Sequence, residues 1–228
     1  MLCYLRMHGA HLACNARVWH RHFLMDVMQL LPHSKKDAKL DTKANRQVIN
    51  EVAEIKGCTN ALFFEARKHQ DLYMWMAKSP AGPTVKFHVT NLHTMAELKL
   101  SGNHLKGSRP VLSFDAAFDE QPHLQLIKEM LTQVLPDPDK KKATKDSMSL
   151  VEVGPRGCLN PIKVFAGSFN GSVLYDNANY VSPNELRAAL KRKAQNKYSD
   201  KVDSKIRRTE HLRNNPMPRN ELADVFKE

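Results

Sequence analysis

The chain has 228 residues, 42% of them hydrophobic, which is enough to build one sizeable domain with a core. Its 35 Lys and Arg against 24 Asp and Glu give a net charge of +11, which favours a polyanionic partner over an acidic small substrate. The four cysteines form no Cys-x-x-Cys pair, and no secretory leader or membrane-length apolar run is recognisable, so we expect a cytosolic or nuclear protein.

The first predicted elements are two helices joined by a basic loop. Apolar residues at the spacing i, i+3, i+4 and i+7 predict a helix over 21–31, which Pro32 ends. The loop HSKKDAKLD follows, and we expect its lysines to be exposed on a turn. A second helix is predicted over about 43–56, with Gly57 just past its end.

Three short strands come next, at 61–66, 71–76 and 84–89. The turn residues between the last two strands indicate a hairpin. In the last strand apolar residues alternate with Lys86 and His88, and this alternation predicts one buried side and one solvent-facing side.

Tyr73 and Trp75 share one face of the second of these strands. Aromatic side chains in such a position could stack on unpaired RNA bases. Aromatic pairs in strands are, however, more often part of a core or of a protein interface. The sequence alone leaves both interpretations open.

The second half of the chain begins with a helix predicted over 124–134, which the run PDPD ends. A lysine-rich linker covers 140–145. Short strands are predicted at 149–153 and 161–165 around a Gly-Pro-Arg-Gly turn, and an irregular loop is predicted over 167–179. The order of elements is that of a mixed α/β protein.

The last element is a long basic helix with a clear start signal. Ser182, Pro183 and Glu185 combine a serine N-cap, a proline at the first helical position and the glutamate of a capping box. Eleven Lys and Arg stand against three acids over 187–219, so most of the surplus charge lies here. We expect this helix to lie along a phosphate-bearing partner, and a partly disordered tail is the alternative.

Six motifs spread along the chain carry a resemblance to a known family. They are LPHSKKDAKLD, FFEARKHQDLYMW, SPAGPTVKFHV, LKGSRPVLSFD, VEVGPR and IKVFAGSF. Together they resemble the Brix domain family, over about 21–134 and again over 150–181. The resemblance implies a pseudo-symmetric α/β fold with a mixed sheet and helices, similar to the anticodon-binding domain of some aminoacyl-tRNA synthetases.

Two departures from the family pattern predict missing strands. Residues 1–20 lack the apolar strand with which the domain opens, and the linker at 136–148 stands where the family has an aromatic-rich hairpin. We therefore divide the chain into an atypical segment at 1–20, a Brix-like α/β domain at 21–181 and a basic helical extension at 182–228. Missing strands would expose sheet edges, so a truncated, non-functional copy is one alternative.

The resemblance implies a nucleolar factor, acting in the nucleus, that binds precursor ribosomal RNA and other factors during assembly of the large ribosomal subunit. The implied role is architectural and non-enzymatic, and no residue set forms an adequate catalytic centre, metal site or cofactor site. We expect neither a membrane nor a small-molecule substrate as partner. An alternative is a protein-interaction module with a nuclear-targeting basic tail, and an enzyme ranks below both.

The candidate RNA-binding residues are cations of the basic loops and of the last helix, because phosphate contacts supply much of the affinity for RNA. Arg156 is preferred, since a Gly-Pro-Arg-Gly turn would present it rigidly. Lys106 and Arg109 belong to a turn whose amides could face a phosphate, and a purely structural turn is the alternative. The full set is Lys35, Lys36, Lys39, Arg67, Lys68, Lys106, Arg109, Arg156, Lys163, Arg187, Lys191, Arg192 and Lys193.

Overall fold

The computed structural model describes residues 2–8, 15–39, 46–68, 70–99, 110–135 and 152–216, with side chains except at 2–8, 15–18 and 37–39. The strands are β1 (Leu2–His8), β2 (Ser34–Lys39), β3 (Asn60–Arg67), β4 (Asp71–Lys78), β5 (Thr84–His93), β6 (Arg156–Phe165) and β7 (Val173–Asp176). The helices are α1 (Asn15–Leu30), α2 (Val48–Ile55), α3 (Met95–Leu98), α4 (Ala117–Glu120), α5 (Pro122–Val134) and α6 (Pro183–Asn214). One sheet has the order β2-β1-β3-β4-β5-β6-β7, and the predicted mixed α/β class is confirmed.

Strand β1 corrects a prediction. The inference that residues 1–20 lack an opening strand is wrong, because Leu2–His8 pairs in parallel with β2 on one side and with β3 on the other. A segment interrupted by polar residues still forms a strand where two neighbours satisfy its backbone N–H and C=O groups. The predicted deletion at 136–148 lies outside the described residues.

The basic segment after α1 is also a strand. β2 runs parallel to β1, with Lys35 opposite Cys3 and Lys39 opposite Arg6. The prediction that these lysines are displayed on a turn is therefore wrong, because pairing with β1 extends the chain through them. The helix that follows agrees better with the sequence, since Gly57 adopts a φ of +63° just past the end of α2.

One face of the sheet packs against α1 and α5. Phe23 of α1 meets Phe64 of β3 edge-on, with ring centroids 5.8 Å apart. Alternate residues of four antiparallel strands, β3 to β6, supply the sheet side of this contact. The buried cluster comprises Phe23, Leu24, Leu31, Leu62, Phe64, Leu72, Met74, Met76, Val85, Phe87, Val89, Ile127, Met130, Val134 and Val164.

The opposite face is covered by α2 and by the loop after β6 at one end. Ile49 of α2 packs there with Phe63, Trp75 and Phe169. The fully buried Thr84 hydroxyl donates to the Gly167 carbonyl and accepts from the Phe169 N–H, both at 2.8 Å. These contacts fix the loop over the end of the face at which β5 begins, and charged side chains occupy the rest.

The chain divides into two compact units, Met1–Tyr180 and Val181–Glu228. In the second unit the predicted capping box is confirmed: Ser182 Oγ accepts from the Glu185 N–H at 3.3 Å, and the Glu185 carboxylate accepts from the Ser182 N–H at 3.1 Å. None of the described side chains of α6 is buried. Among the helices described here, none combines the length and the apolar character needed to cross a membrane.

Candidate nucleic-acid interface

The charged end of the second sheet face is organised around Glu65 of β3. Arg67 Nε donates to one carboxylate oxygen at 2.8 Å, Trp75 Nε1 donates to the other at 3.2 Å, and Arg46 Nη2 lies 3.9 Å from it. Burial by itself would raise the pKa of Glu65, but these hydrogen bonds and the two guanidinium charges lower the pKa below its ordinary value. Glu65 is thus an ionised group that fixes two arginines against the sheet.

Lys86 of β5 lies beside this group and contacts two aromatic rings. The strand register puts it opposite Trp75 on β4 and opposite Lys163 on β6. Its Nζ is 4.7 Å from the centroid of the Trp75 ring and 5.1 Å from that of Tyr73, within reach of the attraction between a cation and a ring face. Within the described ranges, no carboxylate forms an ion pair with Lys86.

The surroundings of Lys86 disfavour its positive charge. Burial is the largest cause, and Arg67, Arg46 and Lys163 add repulsion that Glu65 only partly offsets, so the pKa falls from the ordinary 10.5 to about 8. Nearby cations therefore outweigh the nearby carboxylate at this point. A bound anion would relieve that repulsion.

The aromatic rings beneath these cations are closed to solvent. Trp75 is 3% exposed and Tyr73 is 8% exposed. The guanidinium carbon of Arg46 lies 4.5 Å from the Trp75 ring centroid, and that of Arg67 lies 5.3 Å from the Tyr73 centroid. Trp75 also stacks on Phe165 at 5.8 Å. Of the two interpretations of this aromatic pair, the structure favours the core interpretation.

Two of the residues predicted from the sequence, Arg67 and Lys163, converge on this surface. They lie on β3 and β6, and the two strands between them bring both side chains close enough to Lys86 to lower its pKa. Lys163 Nζ donates to Asp176 of β7 at 2.9 Å and remains 40% exposed. We call Arg46, Arg67, Lys86 and Lys163 the cation cluster.

The lysines of β2 form a separate group with a structural role. Lys35 Nζ donates to the carbonyl of Lys56 at 2.8 Å, and Lys56 Nζ donates to the carbonyl of Lys36 at 3.3 Å. The first bond satisfies a carbonyl just past the end of α2, where the helix itself supplies no partner. The side chain of Lys39 lies outside the described residues.

Arg156 is not displayed on a turn, so that prediction is wrong. It is the first residue of β6. There it lies opposite His93, because the pairing between β5 and β6 extends to the end of β5. Its Nε donates to Glu152 at 2.6 Å, so Arg156 forms an ion pair at the surface. Lys68 is exposed at the turn between β3 and β4. Lys106 and Arg109 lie outside the described residues.

The remaining predicted cations lie on α6, in the second unit. Arg187 is partly buried and donates to Asn184 at 3.3 Å. The exposed cations of the next turn are Lys191, Arg192 and Lys193. Exposed apolar side chains accompany them, including Leu190 and Tyr198.

Comparison with known proteins identifies the family. The Brix domain profile matches residues 15–142. The ribosome biogenesis protein BRX1 homolog 1 of Arabidopsis thaliana is 44% identical over 93% of this chain and 81% of its own length. BRX1 of Saccharomyces cerevisiae is 43% identical over 90% of this chain and 83% of its own length. The chain belongs to the Brix domain family.

A further relative of this Brix domain protein supports the assignment, and one solved structure is distantly similar. The human BRX1 homolog is 43% identical over 90% of this chain and 66% of its own length. A solved structure of a probable ribosomal biogenesis protein from Aeropyrum pernix K1 covers 79% of this chain at a TM-score of 0.42 and 11% identity, which is too distant to inform function. The family assignment made from the six motifs is confirmed.

The sequence-based candidates for this Brix domain omit Arg46 and Lys86. A signal for Lys86 exists, because its alternation with apolar neighbours in β5 predicts the solvent-facing side. No local pattern marks Arg46, which comes to lie over Trp75 only because α2 packs on the sheet. Among the described residues, no group of three or more His, Cys, Asp or Glu could hold a metal ion.

Proposed function

We propose that this Brix domain protein is a ribosome biogenesis factor that binds precursor ribosomal RNA during assembly of the large ribosomal subunit. Relatives that cover at least nine-tenths of the chain are named ribosome biogenesis proteins. The cation cluster carries the RNA-binding part of the proposal, because among the described residues its four cations form ion pairs with only two carboxylates, Glu65 and Asp176. The net charge of +11 supports the same kind of partner.

In this proposal the protein holds RNA and makes or breaks no bonds. Neutralising phosphates releases condensed counterions, which supplies affinity without reading the sequence. Specificity then comes from the shape of the folded RNA. Each unit contributes cations of its own, from the sheet face in one and from α6 in the other. An RNA segment bound in this way keeps a conformation that other factors require.

We expect the protein to act in the nucleolus, within the nucleus, with other large-subunit assembly factors as partners. The exposed apolar side chains of α6, such as Leu190 and Tyr198, offer surface for protein contacts. These side chains also favour the second candidate function, a protein-interaction module whose basic tail is a nuclear address. That alternative predicts that the purified protein binds no RNA on its own.

The test is to titrate a labelled large-subunit rRNA fragment with the full chain and to measure binding by fluorescence anisotropy at salt concentrations between about 50 and 200 mM. We expect affinity to fall steeply with salt. Replacing Lys191, Arg192 and Lys193 by Ala should lower the log–log slope by about 2, at roughly 0.7 for each lost contact with single-stranded RNA. The matched control is Gln195→Ala with Asn196→Ala, which changes no charge on the same helix.

Two results of this titration would count against the proposal. A folded protein that leaves the RNA unbound at low salt would exclude direct RNA binding and favour the interaction module. An unchanged slope in the triple variant would remove α6 from the interface. Co-sedimentation of the tagged protein with large-subunit precursors from cells tests the assembly role separately, and recovery only in free fractions would contradict it.

A further inference from the structure

We propose that Lys86, together with Arg46, Arg67 and Lys163, binds one phosphate of the RNA backbone on the open end of the second sheet face. This site rests on the proposed RNA-binding function and gives that function a location. Arginine offers a planar fork of N–H donors that matches phosphate oxygens, and lysine adds a compact charge. The cation cluster combines both kinds of group.

The scaffold holds the donors of this site in place before any anion binds. Glu65 engages Arg67 through Nε, which leaves the two Nη nitrogens of the guanidinium outside that hydrogen bond. Arg46 is held over Trp75 by its cation–π contact and remains 37% exposed. Lys86 rests on the same ring. The cations are thus oriented by groups that leave donors available.

The charges of the residues at the site favour the binding of an anion. Glu65 is shared by two arginines, and Asp176 pairs with Lys163. Asp71, a further carboxylate, lies opposite Arg67 in the strand register. Burial is the main reason why the pKa of Lys86 falls to about 8, and the repulsion from Arg67, Arg46 and Lys163 adds to this effect. A phosphodiester would supply the missing negative charge.

The site reads the RNA backbone and not its bases. The two rings under the cations, Tyr73 and Trp75, are 8% and 3% exposed, so no base can stack on them. A contact restricted to a phosphate fixes the position of the RNA and carries no sequence information. We therefore expect this site to contribute equally to binding of RNA fragments that differ only in base sequence.

The test compares three variants of the full chain by the anisotropy titration described above. Lys86→Met removes the charge and keeps a long side chain over the rings, whereas Lys86→Arg keeps the charge. Lys78→Met is the matched control, because strand alternation puts this exposed lysine of β4 on the opposite face from Trp75. We expect Lys86→Met to bind roughly tenfold more weakly and to lower the salt slope by about 0.7.

The RNA affinity of Lys86→Arg should stay within about twofold of that of the wild type, and the affinity of Lys78→Met should equal that of the wild type. Both variants keep the charge of the site. If the wild type binds RNA and Lys86→Met binds equally well, the site is overturned and the proposed function stands. If the folded wild type binds no RNA, both fail. If Lys86→Met loses binding to a poly-glutamate peptide while RNA binding is unchanged, the assignment to phosphate is overturned.

A spectroscopic readout separates a direct contact from a structural role. Reductive ¹³C-dimethylation keeps the lysine charge and lets the pKa of each lysine be followed by NMR. On addition of RNA the pKa of Lys86 should rise, because an adjacent phosphate favours the charged form, and the NMR signal of Lys78 should not change. An unchanged pKa for Lys86 in the RNA-bound protein would overturn the site.

Discussion

The two faces of the central strands use alternate residues of the same sequence for different purposes. On the face under α1 and α5, Phe64, Met76 and Phe87 are at most 2% exposed and contribute apolar burial. On the opposite face, Glu65 and Lys86 keep charge on top of buried rings. The comparison shows that the first face stabilises the fold throughout, whereas the second accepts repulsion between cations at its charged end, as binding surfaces commonly do.

The largest expected effect tests the stabilising face. Phe64→Ala should lower the free energy of unfolding by about 3–5 kcal/mol, because it removes a fully buried ring and leaves a cavity against α1. Urea unfolding followed by circular dichroism measures the change. The control is Ile55→Ala on α2, where an 85% exposed side chain should change the free energy by less than about 0.5 kcal/mol. Equal losses in the two variants would contradict the description of this core.

A smaller effect of opposite sign tests the cationic face. Lys86→Met should raise the free energy of unfolding at neutral pH, by about 1 kcal/mol once solvent screening is allowed for. The folded pKa of about 8 lies below the ordinary 10.5, so the unfolded chain binds the proton more tightly. The loss of folding stability caused by the charged Lys86 is therefore fully present below about pH 8. It disappears as the pH rises towards 10.5.

Urea unfolding of the wild type and Lys86→Met at several pH values measures this difference. The advantage of the variant should shrink through that window, and Lys78→Met should show no such trend. A variant that is less stable than the wild type at neutral pH would mean that Lys86 serves packing. That outcome would remove the contrast between the two faces.

The sequence predicted the features that depend on short-range chemistry. Alternation in β5 distinguished Val85 and Phe87 from Lys86, and these residues do lie on opposite faces. The capping box at Ser182 started a helix at the expected residue, and Gly57 ended another. Each of these features depends on residues that are close together in the sequence, so it could be predicted without knowledge of any tertiary contact.

The sequence could not predict features that depend on distant partners. β1 and β2 pair in parallel with each other, and β1 also with β3, so their basic and mixed sequences became strands through long-range pairing. The convergence of Arg67 and Lys163 on Lys86 requires the register of four strands. Arg156 was assigned to a turn and not to β6, because the strand there depends on pairing with His93, which lies far away in the sequence.

The measurement that tests the central claim most directly is lysine acetylation footprinting of the full chain with and without the rRNA fragment, read by mass spectrometry. The account predicts that RNA protects Lys86 and Lys163 from acetylation and leaves Lys78 and Lys128, which lie outside the cation cluster, unprotected. Protection of Lys78 and Lys128 with Lys86 unaffected would put the RNA elsewhere on the molecule and contradict the account.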